Sequence, residues 1–128
     1  MLRFQVTQGG PANVPEFGDV GDPAGFKYLY AVSPYHHVAS GTKYPAVLGI
    51  TGTNDPRVPS WIVAKMIARL EDANTGSRPI LLRVDFDAGH GLGSSRPQRE
   101  LLMADIYSFV LWQAGDPDFR PGETATKQ

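Results

Sequence analysis

A chain of 128 residues, 41% hydrophobic and 20% charged with a net charge of −1, is at most one ordinary globular domain. It has no cysteine, which excludes disulfides, thiol catalysis and cysteine-type zinc sites. Twelve basic residues against thirteen acidic ones, with no basic stripe, argue against nucleic acid or an anionic membrane as a partner.

In chain order, residues 1–24 alternate short apolar pieces with glycine and proline (Gly9-Gly10-Pro11, Pro15, Gly18, Gly21, Asp22-Pro23) and read as irregular loop with at most one short helical turn. The opening Met1–Gln5 lacks the charged and apolar regions of a signal peptide, which in a fragment says nothing of the parent's compartment. No stretch approaches the roughly 18 apolar residues needed to span a bilayer. A short helix is expected over 24–32, with Asp22 as N-cap and Pro23 at its first position. Ser33-Pro34 ends it, because the residue before proline is pushed out of the α region.

Residues 44–51, Tyr-Pro-Ala-Val-Leu-Gly-Ile-Thr, form an apolar run without alternation, as expected of a strand covered on both faces. From Pro59 to Leu70 the period becomes helical: Ile62, Val63, Met66, Ile67 and Leu70 share one face, Lys65 and Arg69 the other. Asn74–Ser77 is a turn, and a second strand follows at about 79–86. A last helix spans roughly 97–113, with Leu101, Leu102, Ile106, Phe109 and Val110 inward and Pro97 in its first turn. Residues 116–128 read as a frayed polar tail. Strand, helix, strand, helix with these spacings predicts an α/β fold with parallel strands and covering helices. Two parallel strands are a poor free-standing sheet, so the pieces read as the last quarter of a larger one, with an open edge disposed to pair with another copy or with a missing N-terminal part.

The chemistry concentrates in the loops after the two strands: Thr53-Asn54-Asp55-Pro56-Arg57-Val58-Pro59 and Ala88-Gly89-His90-Gly91. An acid after one parallel strand and a histidine after the next are two members of a hydrolase triad, whose order in α/β-hydrolases is Ser, then Asp or Glu, then His. Asp55 would fix the tautomer of an imidazole and stabilise its protonated form. By itself, an aspartate here is more often a cap or turn former. His90 would act as general base and then general acid, and the flanking glycines let its backbone approach other loops. Arg57 could hold a substrate carbonyl or carboxylate with its forked donors, or make a surface salt bridge. His36 and His37 are adjacent, point apart, and read as structural rather than as metal ligands. No serine stands in a Gly-x-Ser-x-Gly elbow; Ser94 and Ser95 follow His90, on the wrong side for this order. Trp61 and Trp112 read as core or interface filler.

Taken together, Met1-Leu2-Arg3-Phe4, Pro15-Glu16-Phe17-Gly18, Ser33-Pro34-Tyr35-His36-His37-Val38, Tyr44-Pro45-Ala46-Val47, Asn54-Asp55-Pro56-Arg57-Val58-Pro59 and Ala88-Gly89-His90-Gly91 carry a resemblance. Over about residues 1–115 the chain resembles the C-terminal portion of the catalytic domain of the prolyl oligopeptidase family of serine peptidases. The resemblance implies an α/β-hydrolase fold, with Asp55 and His90 as the triad acid and base and Arg57 as a holder of the substrate backbone. It also implies a serine nucleophile, oxyanion donors and a β-propeller encoded before this region, and short proline-containing peptides as substrates of the full-length enzyme. Cleavage after proline is favoured, although oligopeptidase B-like members share the Asp-Pro-Arg-Val loop. No cofactor or metal is expected, and a cytoplasmic parent is favoured over a periplasmic one. The 128 residues alone are expected to be inactive. The alternatives are a non-catalytic module that assembles through its strand edges, or a different small α/β domain in which Asp55 and His90 are only loop residues.

Overall fold

The computed structural model describes residues 2–90 and 95–121, and these fall in two compact units, Met1–His90 and Gly91–Gln128. In the first unit the glycine- and proline-rich start folds into 3-10 turns at Phe4–Val6 and Pro11–Asn13 and a single helical turn, α1, Val14–Phe17. This is more turn structure than the composition suggested. Gln5 ties it together, donating to Asp19 Oδ1 and accepting from the Val20 N–H, both at 2.9 Å.

Helix α2, Pro23–Ala31, starts as its caps dictate: the Asp22 carboxylate accepts the Gly25 N–H at 2.8 Å, and Pro23 fills the first turn, where an N–H would have no partner. It buries Leu29 completely. Ser33 is extended before Pro34, and the chain turns into a 3-10 segment, Pro34–His37.

Strand β1, Val47–Gly52, begins three residues later than the apolar run suggests. Pro45 has no N–H to give to a ladder, and the Tyr44 N–H is taken by the Asn74 side chain at 3.0 Å. Helix α3, Ser60–Ala73, then crosses to strand β2, Ile80–Asp85. The strands pair in parallel, from Val47 opposite Ile80 to Gly52 opposite Asp85. The helix runs three residues beyond Leu70 and ends on the buried Ala73.

Ile67, Leu70, Ala73, Val38 and Ile80 form the core, with Tyr44, Val47, Val63 and Met66 packed against it. Full burial of a side chain such as Ile67 or Leu70 contributes about 1.5–3 kcal/mol. Helix and sheet approach closely at Gly49, where a Cβ would stand 2.6 Å from Ile67 Cγ1. Ile62, expected on the apolar stripe, is exposed instead. The stripe is therefore narrower, about one residue per turn plus its i+3 and i+4 neighbours.

Helix α3 covers the face of Val47, Gly49 and Thr51, while on the opposite face Ile50 is 38% exposed and Leu81 42%. The sheet has two strands only, so each keeps one edge unpaired among the described residues.

In the second unit helix α4, Arg96–Ala114, opens on a capping box: Ser95 Oγ accepts the Gln98 N–H and Gln98 Oε1 accepts the Ser95 N–H. It closes on Gly115 in the left-handed region, with φ of 95°. Leu102, Ile106 and Phe109 are half-buried, whereas Leu101 and Val110, expected inward, are 60% and 53% exposed. Residues 116–120, expected to be frayed, fold into a 3-10 turn over Pro117–Phe119 capped by Asp116. The remainder of the tail, 122–128, lies outside the described residues, as do Gly91 and Ser94.

Candidate active site

The strands end level with each other, and the pairing continues into the loops beyond. The Thr53 N–H donates to the Asp85 carbonyl at 2.9 Å, and the Asn54 N–H to the Ala88 carbonyl at 3.1 Å. The Thr53 hydroxyl and the Asn54 amide both donate to the Phe86 carbonyl, at 2.6 and 3.3 Å. Glycine is required at position 52, because a Cβ there would stand 2.3 Å from the Ala88 oxygen and 2.7 Å from that of Gly89. Any side chain would force the loops apart. Held edge to edge in this way, the loops bring residues 55 and 90 to the same end of the sheet.

Asp55 divides its carboxylate between two tasks. Oδ1 accepts the backbone N–H groups of Arg57 and Val58, at 2.8 and 2.9 Å, which locks the local turn. Oδ2 lies 2.8 Å from His90 Nδ1. The carboxylate does not cap α3, whose N-cap position is Pro59. Partial burial raises the Asp55 pKa, but hydrogen bonds from Val58, His90 and Arg57, together with the charge of His90, outweigh it and hold the pKa below the ordinary 3.8. The group is thus an anion at neutral pH and can only accept, so the proton in the shared bond sits on His90 Nδ1. Nε2, which carries the lone pair in the neutral form of that ring, makes no hydrogen bond among the described residues, on a side chain 37% exposed, while the Asp55 side chain beneath is 10% exposed. A partly buried acid, an exposed base and an open Nε2 make an arrangement able to take a proton from an approaching hydroxyl.

The histidine loop has an internal anchor that the sequence reading missed. Asp85 Oδ1 accepts the N–H groups of Asp87 and Ala88, at 3.1 and 2.9 Å, in the same two- and three-residue pattern as Asp55. An aspartate at a strand end ahead of a tight turn is the sequence signal for such a bond. The contacts made by Thr53 and Asn54 had no comparable signal, since they depend on the register of the two strands.

Arg57 is exposed, and its guanidinium makes no ion pair among the described residues. His36 and His37 are held apart: His36 Nδ1 meets the hydroxyl of the buried Ser33 at 2.8 Å, and His37 Nε2 meets the Tyr30 carbonyl at 2.9 Å. No group of three or more potential metal ligands occurs among the described residues. Trp61 is 41% exposed rather than core, with the Arg3 and Lys65 cations about its ring.

A family model described as the prolyl oligopeptidase family matches residues 5–117. The chain belongs to the prolyl oligopeptidase family. Among its relatives, the prolyl endopeptidase of Elizabethkingia miricola is 35% identical over 116 residues, which cover 90% of this chain and 16% of that protein. Dipeptidyl aminopeptidase BI of Pseudoxanthomonas mexicana is 35% identical over 108 residues, covering 82% of this chain and 15% of the relative. Among solved structures, prolyl oligopeptidase B from Galerina marginata, bound to a 35mer hydrolysis and macrocyclization substrate, superposes with a TM-score of 0.82 at 31% identity, over 90% of this chain and 16% of that one. The fold is therefore that of part of an α/β-hydrolase domain, and the chain spans about one sixth of the length of these prolyl oligopeptidase relatives.

Proposed function

We propose that this chain is the acid–base portion of a serine-type oligopeptidase that cleaves short peptides after proline. The observation that carries the reading is the 2.8 Å contact between Asp55 Oδ2 and His90 Nδ1, formed by loops that follow adjacent parallel strands. In this reading His90 Nε2 removes the proton from a serine hydroxyl as the oxygen attacks the scissile carbonyl. It then delivers that proton to the leaving amine. Asp55 keeps the imidazole in the Nδ1–H tautomer and stabilises the imidazolium formed between the two steps. Arg57, with its fork unengaged by the described residues, holds a carbonyl of the bound peptide.

The 128 residues contain no Gly-x-Ser-x-Gly sequence, so nucleophile and oxyanion donors must come from elsewhere. Reading the coding DNA upstream of Met1 tests this: an in-frame Gly-x-Ser-x-Gly supports the assignment, and its absence from the gene contradicts it. The purified chain alone is expected to leave a proline-containing ester or amide intact. Hydrolysis abolished by His90→Ala would overturn that expectation.

A second reading is favoured by the unpaired strand edges and by the exposed Ile50 and Leu81. In it the chain assembles, through those edges, with another copy or with a nucleophile-bearing segment of the same domain.

A further inference from the structure

Between the end of β2 and His90 lie Phe86, Asp87, Ala88 and Gly89, and burial is not what holds them. Phe86 is 74% exposed, and Ala88 and Gly89 have little or no side chain to pack. Yet four of the eight backbone N–H and C=O groups of this segment are fastened, and so is the Asp85 carbonyl just before it. The Asp85 and Phe86 carbonyls accept from Thr53, the Asp87 and Ala88 N–H groups donate to Asp85 Oδ1, and the Ala88 carbonyl accepts from Asn54. The Asp85 carboxylate is steadied in turn by Arg83, 3.6 Å away along the same strand face. A hydrogen bond of 2.8 Å is lost with a displacement of about 1 Å, so the His90–Asp55 contact depends on this polar clamp.

We propose that Thr53 and Asp85 are positioning residues for His90: Thr53 through its hydroxyl on the Phe86 carbonyl, and Asp85 through the turn at Asp87-Ala88. The inference rests on reading Asp55 and His90 as the acid–base pair, and it adds two residues that act through the backbone leading to His90.

The test reads the tautomer of the His90 ring from its nitrogen NMR shifts in the 128-residue chain at neutral to mildly alkaline pH, with the core methyl signals of Ile67 and Leu70 reporting the fold. In the unaltered chain the Nδ1–H form dominates. Thr53→Val, which keeps the shape and removes the hydroxyl, lowers the Nδ1–H fraction about twofold or more, and so does Asp85→Ala. Thr53→Ser and Asp85→Asn, which keep the hydroxyl and the acceptor oxygen, preserve it. Retention of the Nδ1–H form in both Thr53→Val and Asp85→Ala with core signals intact overturns the proposal. Global unfolding of both also overturns it, since the clamp would then hold the fold rather than the ring. The underlying pair fails separately, and the proposal with it, if Asp55→Asn leaves the tautomer of His90 unchanged.

Discussion

Asp55 is held by three donors, and its depressed pKa ties the stability of the site to pH in one direction. The unfolded carboxylate titrates near 3.9, so the folded form gains stability above that value and loses it as pH falls through the lower folded pKa. In urea titrations the stability difference between the chain and Asp55→Asn should hold steady well above the unfolded carboxylate's titration and close as pH falls below it. A difference that widens on acidification would contradict the assigned direction. Gly52 gives a second expectation at this scale. Gly52→Ala should broaden or shift the amide signals of Thr53, Asn54 and Ala88 and weaken the His90–Asp55 contact, because no rotamer relieves a Cβ 2.3 Å from a carbonyl oxygen. That Asp55 and His90 would meet was legible in the sequence, because their residue types and topological positions are themselves the signal. Thr53 was not, because its hydroxyl reaches the Phe86 carbonyl only once the strand register is fixed; Asp85, whose bonds to Asp87 and Ala88 are local, offered a signal that was passed over.

Helix α3 was legible from its apolar period, and the ends of α2 and α4 from punctuating residues. Asp22-Pro23 and Pro97 place the starts of α2 and α4 within a residue, and Gly115 follows the end of α4, whereas the Ser95–Gln98 capping box went unread. The start of β1 was not legible, because Tyr44-Pro45-Ala46 is as apolar as a strand but Pro45 cannot donate to one. Packing at the helix–sheet contact sets the energetic scale. Leu70→Ala should cost about 2–5 kcal/mol in chemical denaturation. Gly49→Ala, which adds one methyl group against Ile67, should cost about 1–3 kcal/mol. A neutral Gly49→Ala would mean that α3 does not lie on β1 as described.

For the molecule as a whole, a two-stranded parallel sheet with Ile50 and Leu81 exposed on one face is an incomplete layer. The sequence announced this through its count of strands, but which face stays open depends on the hand of the crossover carrying α3. Sedimentation of the purified chain should show concentration-dependent association, reduced by charged substitutions at Ile50 and Leu81. A monomer at all concentrations would remove the support for assembly through this face and its edges. The family relationship supplies the most direct test of the central claim. Residues 5–117 can replace the matching sixth of the Elizabethkingia miricola prolyl endopeptidase, and hydrolysis of a proline-containing peptide amide can then be measured. The account predicts an active chimera in which Asp55→Asn lowers kcat about 10^4-fold and His90→Ala at least about 10^3-fold. A folded chimera whose activity is indifferent to both substitutions would contradict it.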